Sequence, residues 1–196
     1  GRLPRSRFFV WNDPNGHHDI LVFIGEAQPP TGKHAFCQKL IDFAKQAGVQ
    51  RVFTFAAMAT QMHPKDESRV FAAATDADGL ADMKTLDVHI VEDGQISGLN
   101  GVLLGVAAEN GLHGYSLLGE MPHLFAQLPF PKASLAVLKA FTRFAKIEID
   151  FTELEEQAKA MEEQLGQIVT QIEKAIAEQA EEEEEDDDQP EFPIEP

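Results

Sequence analysis

The chain has 196 residues, 43% of them hydrophobic, and 33 acidic against 16 basic residues, for a net charge of −17. That apolar content suffices for a packed core, so wholesale disorder is excluded, and the length suits one ordinary domain with an appendage. A single cysteine, Cys37, excludes an intramolecular disulfide and a cysteine-built zinc cluster. The longest apolar runs, 20–24 and 102–108, fall short of a membrane span. Gly1 stands where a methionine would begin a chain and reads as a trimmed start. A protein of a reducing compartment, the cytoplasm, is the expectation.

The charge is segregated. Residues 1–147 carry fourteen bases and fourteen acids, while residues 148–196 carry nineteen acids against Lys159 and Lys174. The acidity therefore belongs to an appendage. Binding to nucleic acid is not expected, because the body has no basic excess and the tail repels phosphate.

In chain order, residues 7–12 (RFFVWN) and 19–25 (DILVFIG) predict two strands, and Pro14-Asn15-Gly16 between them predicts a hairpin turn. The period then becomes helical, with Phe36, Leu40, Phe43, Ala44 and Ala47 on one stripe and Gly48 as the C-terminal cap. Residues 51–56 (RVFTFA) read as a buried strand that completes a strand–helix–strand unit. Residues 69–74 and 86–91 are further strands, the second closed by a turn at Glu92-Asp93-Gly94. A short apolar helix spans 100–109, a strand 113–118, and an amphipathic helix 132–146. This alternation predicts an α/β fold, a layered α/β/α sandwich over residues 1–150 with a mostly parallel sheet.

From Thr152, paired with Glu155 in a capping box, the pattern predicts a helix over 151–180. Leu154, Ala158, Met161, Leu165, Ile168, Ile172 and Ala175 recur at alternating spacings of four and three, a heptad seam. Such a stripe serves either another copy or the helix's own domain; length and a polar opposite face favour a projecting or oligomeric helix. The acidic run 181–188 opposes the helix dipole, so the helix should fray there, and 181–196 reads as a disordered acidic tail. Phe192-Pro193-Ile194 within it has the form of a short linear motif, with an inert tail as the commoner alternative.

Several stretches together resemble the proteasome assembly chaperone 2 family: Gly25-Glu26-Ala27-Gln28-Pro29, the run 94–105 (GQISGLNGVLLG), Leu118-Gly119-Glu120-Met121-Pro122, Pro129-Phe130-Pro131-Lys132-Ala133-Ser134, and Ile149-Asp150-Phe151-Thr152-Glu153-Leu154 before a long helix. The resemblance covers about residues 7–176. It implies a sandwich similar to the phosphorylase/hydrolase-like fold and a role in assembly of the proteasome core particle, in homo- or hetero-oligomers. Family members usually have another strand and helix ahead of the segment resembling 7–12. Some assembly chaperones of the family end in a hydrophobic–tyrosine–any tail. This chain ends Ile194-Glu195-Pro196, and its only tyrosine is Tyr115, so docking by that route is not expected.

Candidate chemistry is sparse. Glu26 and Glu120 each follow a glycine at a strand end. With parallel strands both carboxylates would lie at the carboxyl edge of the sheet, where they could act as acid and base or hold a divalent metal. Gln28 and Asn100 complete that candidate ligand pocket. The alternative is that each glutamate orders its own loop. Gly94, Gly98 and Gly101 open a helix at Asn100, but no GxGxxG and no Gly-Lys-Ser/Thr loop is present, and packing of a Gly101–Gly105 face on the sheet accounts for the glycines. His63 with Asp66 and Glu67 lacks metal-ligand spacing, and Ser116 lies in no nucleophile elbow. No catalytic residue, metal or cofactor is assigned. The reading is a non-enzymatic interaction or assembly factor, a homo-oligomer with an unidentified client. The alternative is a small-molecule enzyme, an ATP-grasp-type carboligase or nucleoside phosphorylase-like protein, using Glu26 and Glu120.

Overall fold

The computed structural model describes residues 2–91 and 95–187, with side chains up to Gln179. The predicted turn at 92–94 and the tail from 188 onward, with its Phe192 motif, lie outside the described residues. The fold is mixed α/β: a central sheet, helices packed against it and a long C-terminal helix.

The hairpin forms as its turn chemistry predicts. β1 (Ser6–Trp11) pairs antiparallel with β2 (Ile20–Gly25), and the Asp13 carboxylate accepts N–H bonds from Asn15, His17 and His18 across the turn. Glycine is required at position 16, where φ is +70°. The predicted strand–helix–strand unit does not form, however. β1 and β2 make a two-stranded sheet of their own, and β3 (Arg51–Thr60) opens a separate four-stranded sheet. Helix α1 (Lys33–Gln46) lies between the two. Its buried line is Cys37, Ile41 and Ala44, while Phe36 and Phe43 meet Phe23 and Phe8 of the hairpin.

The larger sheet has the order β3-β6-β4-β5, with β4 at Val70–Ala74, β5 at His89–Ile90 and β6 at His113–Pro122. β3 runs parallel to β6 and β4 parallel to β5, but β4 is antiparallel to β6. The sheet is thus mixed, with two of its three strand pairings parallel, as expected of a mostly parallel sheet, and one antiparallel. α2 (Ala77–Met83) joins β4 to β5 on the same heading, and the chain enters β6 on the opposite heading after α3 (Gly98–Glu109). α1 and α3 share the cluster Cys37, Ile41, Val106 and Ala107. α4 (Pro131–Ala145) covers the other face, where Phe53, Tyr115, Phe141 and Phe144 pack ring against ring.

The α3 glycines do not serve the sheet. A Cβ on Gly101 would overlap the Ile96 carbonyl of the preceding loop, and Gly105 faces open space. Gly119 packs tightly against α4: a Cβ there would lie 2.9 Å from the Ala133 Cβ and overlap the Ala133 carbonyl oxygen. Gly119→Ala is therefore expected to push α4 off β6 and cost about 1–3 kcal/mol, read as a fall in the urea midpoint.

α5 spans Thr152–Asp187, seven residues past the predicted end at 180. Glutamate is a good helix former, and each like-charge pair at four-residue spacing costs only about 0.2–0.5 kcal/mol, so local propensity carries the helix into the acidic run. The capping box does not form. The Asp150 carboxylate accepts from both the Thr152 N–H (2.9 Å) and the Thr152 hydroxyl (2.7 Å), which holds the Asp150 carboxyl below its ordinary pKa. Glu155 turns instead to Lys139. A carboxylate is the stronger acceptor for the helix start, so Asp150 takes the role read for Thr152.

Candidate functional site

Glu120 is the most constrained polar residue of the fold. It sits within β6 rather than after it, because β6 must continue to Pro122 to remain paired with β3 as far as Thr60. Its side chain is 1% exposed. Arg69, entering β4 on the neighbouring strand, clasps the carboxylate with Nε at 2.7 Å and Nη2 at 2.5 Å. The Thr60 hydroxyl donates at 2.7 Å, the Glu120 N–H donates to the Arg69 carbonyl, and the Arg69 N–H reaches the Glu120 carboxylate at 3.4 Å. Ser68 donates its hydroxyl to the Glu120 carbonyl. The Arg69 guanidinium, followed by the Thr60 hydroxyl, holds the Glu120 carboxyl down at about 2 against the opposing effect of burial. With the Arg69 N–H as the fourth donor, each oxygen accepts two bonds and no lone pair is left free for a substrate proton or a metal.

Glu26 is engaged elsewhere. Following β2, it takes a two-pronged contact from Arg2 (2.7 and 3.0 Å), the Arg5 N–H (3.0 Å) and Arg7 (3.2 Å). These donors hold its carboxyl below the ordinary value, Arg2 first. It thereby fastens the segment leading into β1. The two glutamates share no partner and lie with different sheets, so the candidate strand-end pair is not assembled, and each glutamate fastens its own surroundings, the alternative read from the sequence. The premise of two parallel strands in one sheet is what fails.

Gln28 and Asn100 lie near the start of α3. The Gln28 Oε1 would be 3.8 Å from a Cβ on Gly98, and the Asn100 side-chain amide donates to the Phe55 carbonyl of β3 at 3.0 Å. That bond was not legible in the sequence, because it joins residues 45 positions apart. His63 and Asp66 make a turn, in which Asp66 accepts the His63 N–H and His63 Nδ1 accepts the Lys65 N–H. Ser116 is fully buried in mid-sheet, and its hydroxyl has no hydrogen-bond partner among the described residues. No group of three or more potential metal ligands occurs among the described residues. One open cleft of about 270 Å³ runs between β4 and α4 and includes Arg69, Lys139 and Arg143. Arg69 and Lys139 already serve Glu120 and Glu155.

The heptad seam divides. Leu165 and Val169 join Met121, Phe125, Phe130 and Ala133 in one buried cluster, with Met161 and Ile168 at its margin, and Ala158 is buried nearby. Leu154 is half-buried. Beyond that contact Ile172 and Ile176 are 45% and 61% exposed, and Ala175 is exposed. The stripe expected to meet another copy is thus spent, through Val169, on the chain's own domain, and only its last turns project.

A family profile described as the PAC2 family matches residues 1–169. Among solved structures, the chain is similar to Pyrococcus furiosus PbaB, described as an archaeal proteasome activator, at 32% identity. The match covers 88% of this chain and 72% of that one, with a TM-score of 0.72. It is also similar to Pyrococcus furiosus PbaA, described as an archaeal homolog of proteasome-assembly chaperone, at 26% identity over 93% and 73% of the two chains, TM-score 0.69. An uncharacterized protein of Methanocaldococcus jannaschii is 29% identical over 166 residues, 83% of this chain, and the match spans 62% of that protein's length.

Proposed function

The chain belongs to the PAC2 family, and from that premise we propose that it acts by binding other proteins. It serves as an assembly factor for a proteasome-type complex and works as a homo-oligomer in the cytoplasm. The observation that carries this reading is the occupation of both candidate carboxylates. Glu120 is saturated by Arg69 and Thr60, and Glu26 by Arg2, Arg5 and Arg7. An acid–base or metal-assisted reaction would have to break one of these clasps first. The descriptions of PbaB and PbaA point to the same class of client. The lone thiol, Cys37, fully buried and with its pKa raised by burial, suits a reducing compartment.

The test is reconstitution. Proteasome α and β subunits from the same source are mixed with and without the full chain, and core particles are counted by mass photometry. Faster or more complete assembly is expected at stoichiometric amounts. In parallel, calorimetry with ATP–Mg²⁺ and nucleosides is expected to show no binding at micromolar affinity, about −8 kcal/mol. Unchanged assembly, together with nucleotide binding lost in a Glu26→Gln/Glu120→Gln double variant, would overturn the proposal in favour of an enzyme.

A further inference from the structure

The cleft between β4 and α4 measures about 270 Å³, smaller than the roughly 300–1,000 Å³ of sites that take drug-sized ligands. It has room for a side chain or a chain end. Arg69 reaches it from just before β4, and Lys139 and Arg143 reach it from α4, where they stand one turn apart on the same face. Of these three cations only Arg143 has no carboxylate partner among the described residues, and it is exposed.

Arg69 offers donors that are already fixed in place. Its Nε and Nη2 go to Glu120, and its guanidinium lies over the Phe71 ring, 5.4 Å from the centroid. The remaining N–H groups of the fork lie on the edge turned away from Glu120. A side chain held on two sides loses little rotamer freedom when a ligand arrives. Glu120 balances Arg69 and Glu155 balances Lys139, so Arg143 is the cation left to balance a ligand.

Charge and shape indicate the ligand. Glu67 and Asp87 line the same cleft, so a dense polyanion is repelled and a phosphate dianion is poorly matched. A single carboxylate, with two oxygens in one plane, matches the planar fork of a guanidinium. The small side chains of Ala136 and Ala140 leave space over α4 for the chain that carries it. The acidic end of this chain's own α5 does not compete. The ion pairs Lys139–Glu155 and Lys132–Glu162 set α5 antiparallel to α4, so it leads away from the cleft, and position 181 lies about 39 Å along the helix from Glu155. We propose that the cleft takes one carboxylate of a client protein, in a forked contact shared between Arg143 and the outer edge of Arg69. This deepens the protein-binding reading above and rests on it.

The probe is an acetylated, amidated pentapeptide with one central glutamate, titrated into the full chain and followed by the arginine Nε–H signals in NMR. Binding is expected with Kd of about 1 mM. The same peptide with a central glutamine should bind about tenfold more weakly, unless its C-terminus is left as a free carboxylate, which would make a chain end the source. Arg143→Gln should weaken the glutamate peptide about tenfold and Arg143→Glu further, both with a wild-type melting curve, since Arg143 is exposed. Equal binding of the glutamine and glutamate peptides, or wild-type binding by Arg143→Glu, overturns the site. Inorganic phosphate that binds more tightly than the glutamate peptide overturns the carboxylate assignment. In the reconstitution described above, Arg143→Glu should lower the yield of core particles. A variant as active as the wild type there overturns the client role of the cleft. A wild type that leaves assembly unchanged but binds the peptide through Arg143 overturns the assembly reading alone.

Discussion

Arg69→Ala is expected to destabilise the fold by about 3–5 kcal/mol, because it leaves the Glu120 carboxylate, 1% exposed, without its countercharge. Glu120→Gln should cost less, since an amide of the same shape keeps the Thr60 bond and buries no charge. Combined, the two substitutions should be far from additive, and that coupling in urea denaturation is the measurement. The acid limb of stability carries the same signature. Glu120 holds a carboxyl at about 2 in the fold against 4.5 for the free group. Its contribution is therefore complete above pH 4.5 and is lost as pH falls through 2. The shift corresponds to about 3 kcal/mol, reduced to about 2 by solvent around the half-exposed Arg69. Glu120→Gln should remove that slope between pH 4.5 and 2 and leave the rest of the curve in place. An unchanged slope would mean that the clasp does not persist in solution.

Leu165→Ala is expected to cost about 2–5 kcal/mol and to leave the oligomeric state of the folded fraction unchanged. Leu165 is 1% exposed and lies among Met121, Phe125, Phe130 and Val169, so truncation opens a cavity between α5, α4 and the end of β6. Ile172→Ala, on the same stripe two turns on, should cost only a few tenths of a kcal/mol, because Ile172 is already 45% exposed. Thermal melts of the two variants beside sedimentation give the contrast. If Leu165→Ala dissociates an oligomer without lowering the melting temperature, the seam lies between chains and not within one.

The hairpin was legible because everything it needs is local: Pro14-Asn15-Gly16 and alternating apolar runs on either side. The same holds for Gly48, whose positive φ ends α1, and for the position and approximate span of α3, α4 and α5. The assembly-factor reading came from order and spacing of short motifs, which the family match over residues 1–169 supports. Glu120 was singled out for the wrong geometry. Gly119 before it suggested a strand end at 118, yet Gly119 is small to admit Ala133 of α4, and the strand runs on to Pro122.

Periodicity, turn chemistry and charge segregation are properties of neighbouring residues, so the sequence by itself determined the elements, the hairpin and the neutral body with its acidic appendage. It did not determine which strands pair, since backbone hydrogen bonds are indifferent to side-chain identity and the pairing joins residues far apart in the chain. Nor did it determine the partner of Glu120, 51 residues away, or the face that α5 meets. An apolar stripe states that a helix must bury one side and leaves open against what. The tertiary structure decided both, placing Arg69 on the buried Glu120 of β6 and the seam against α4.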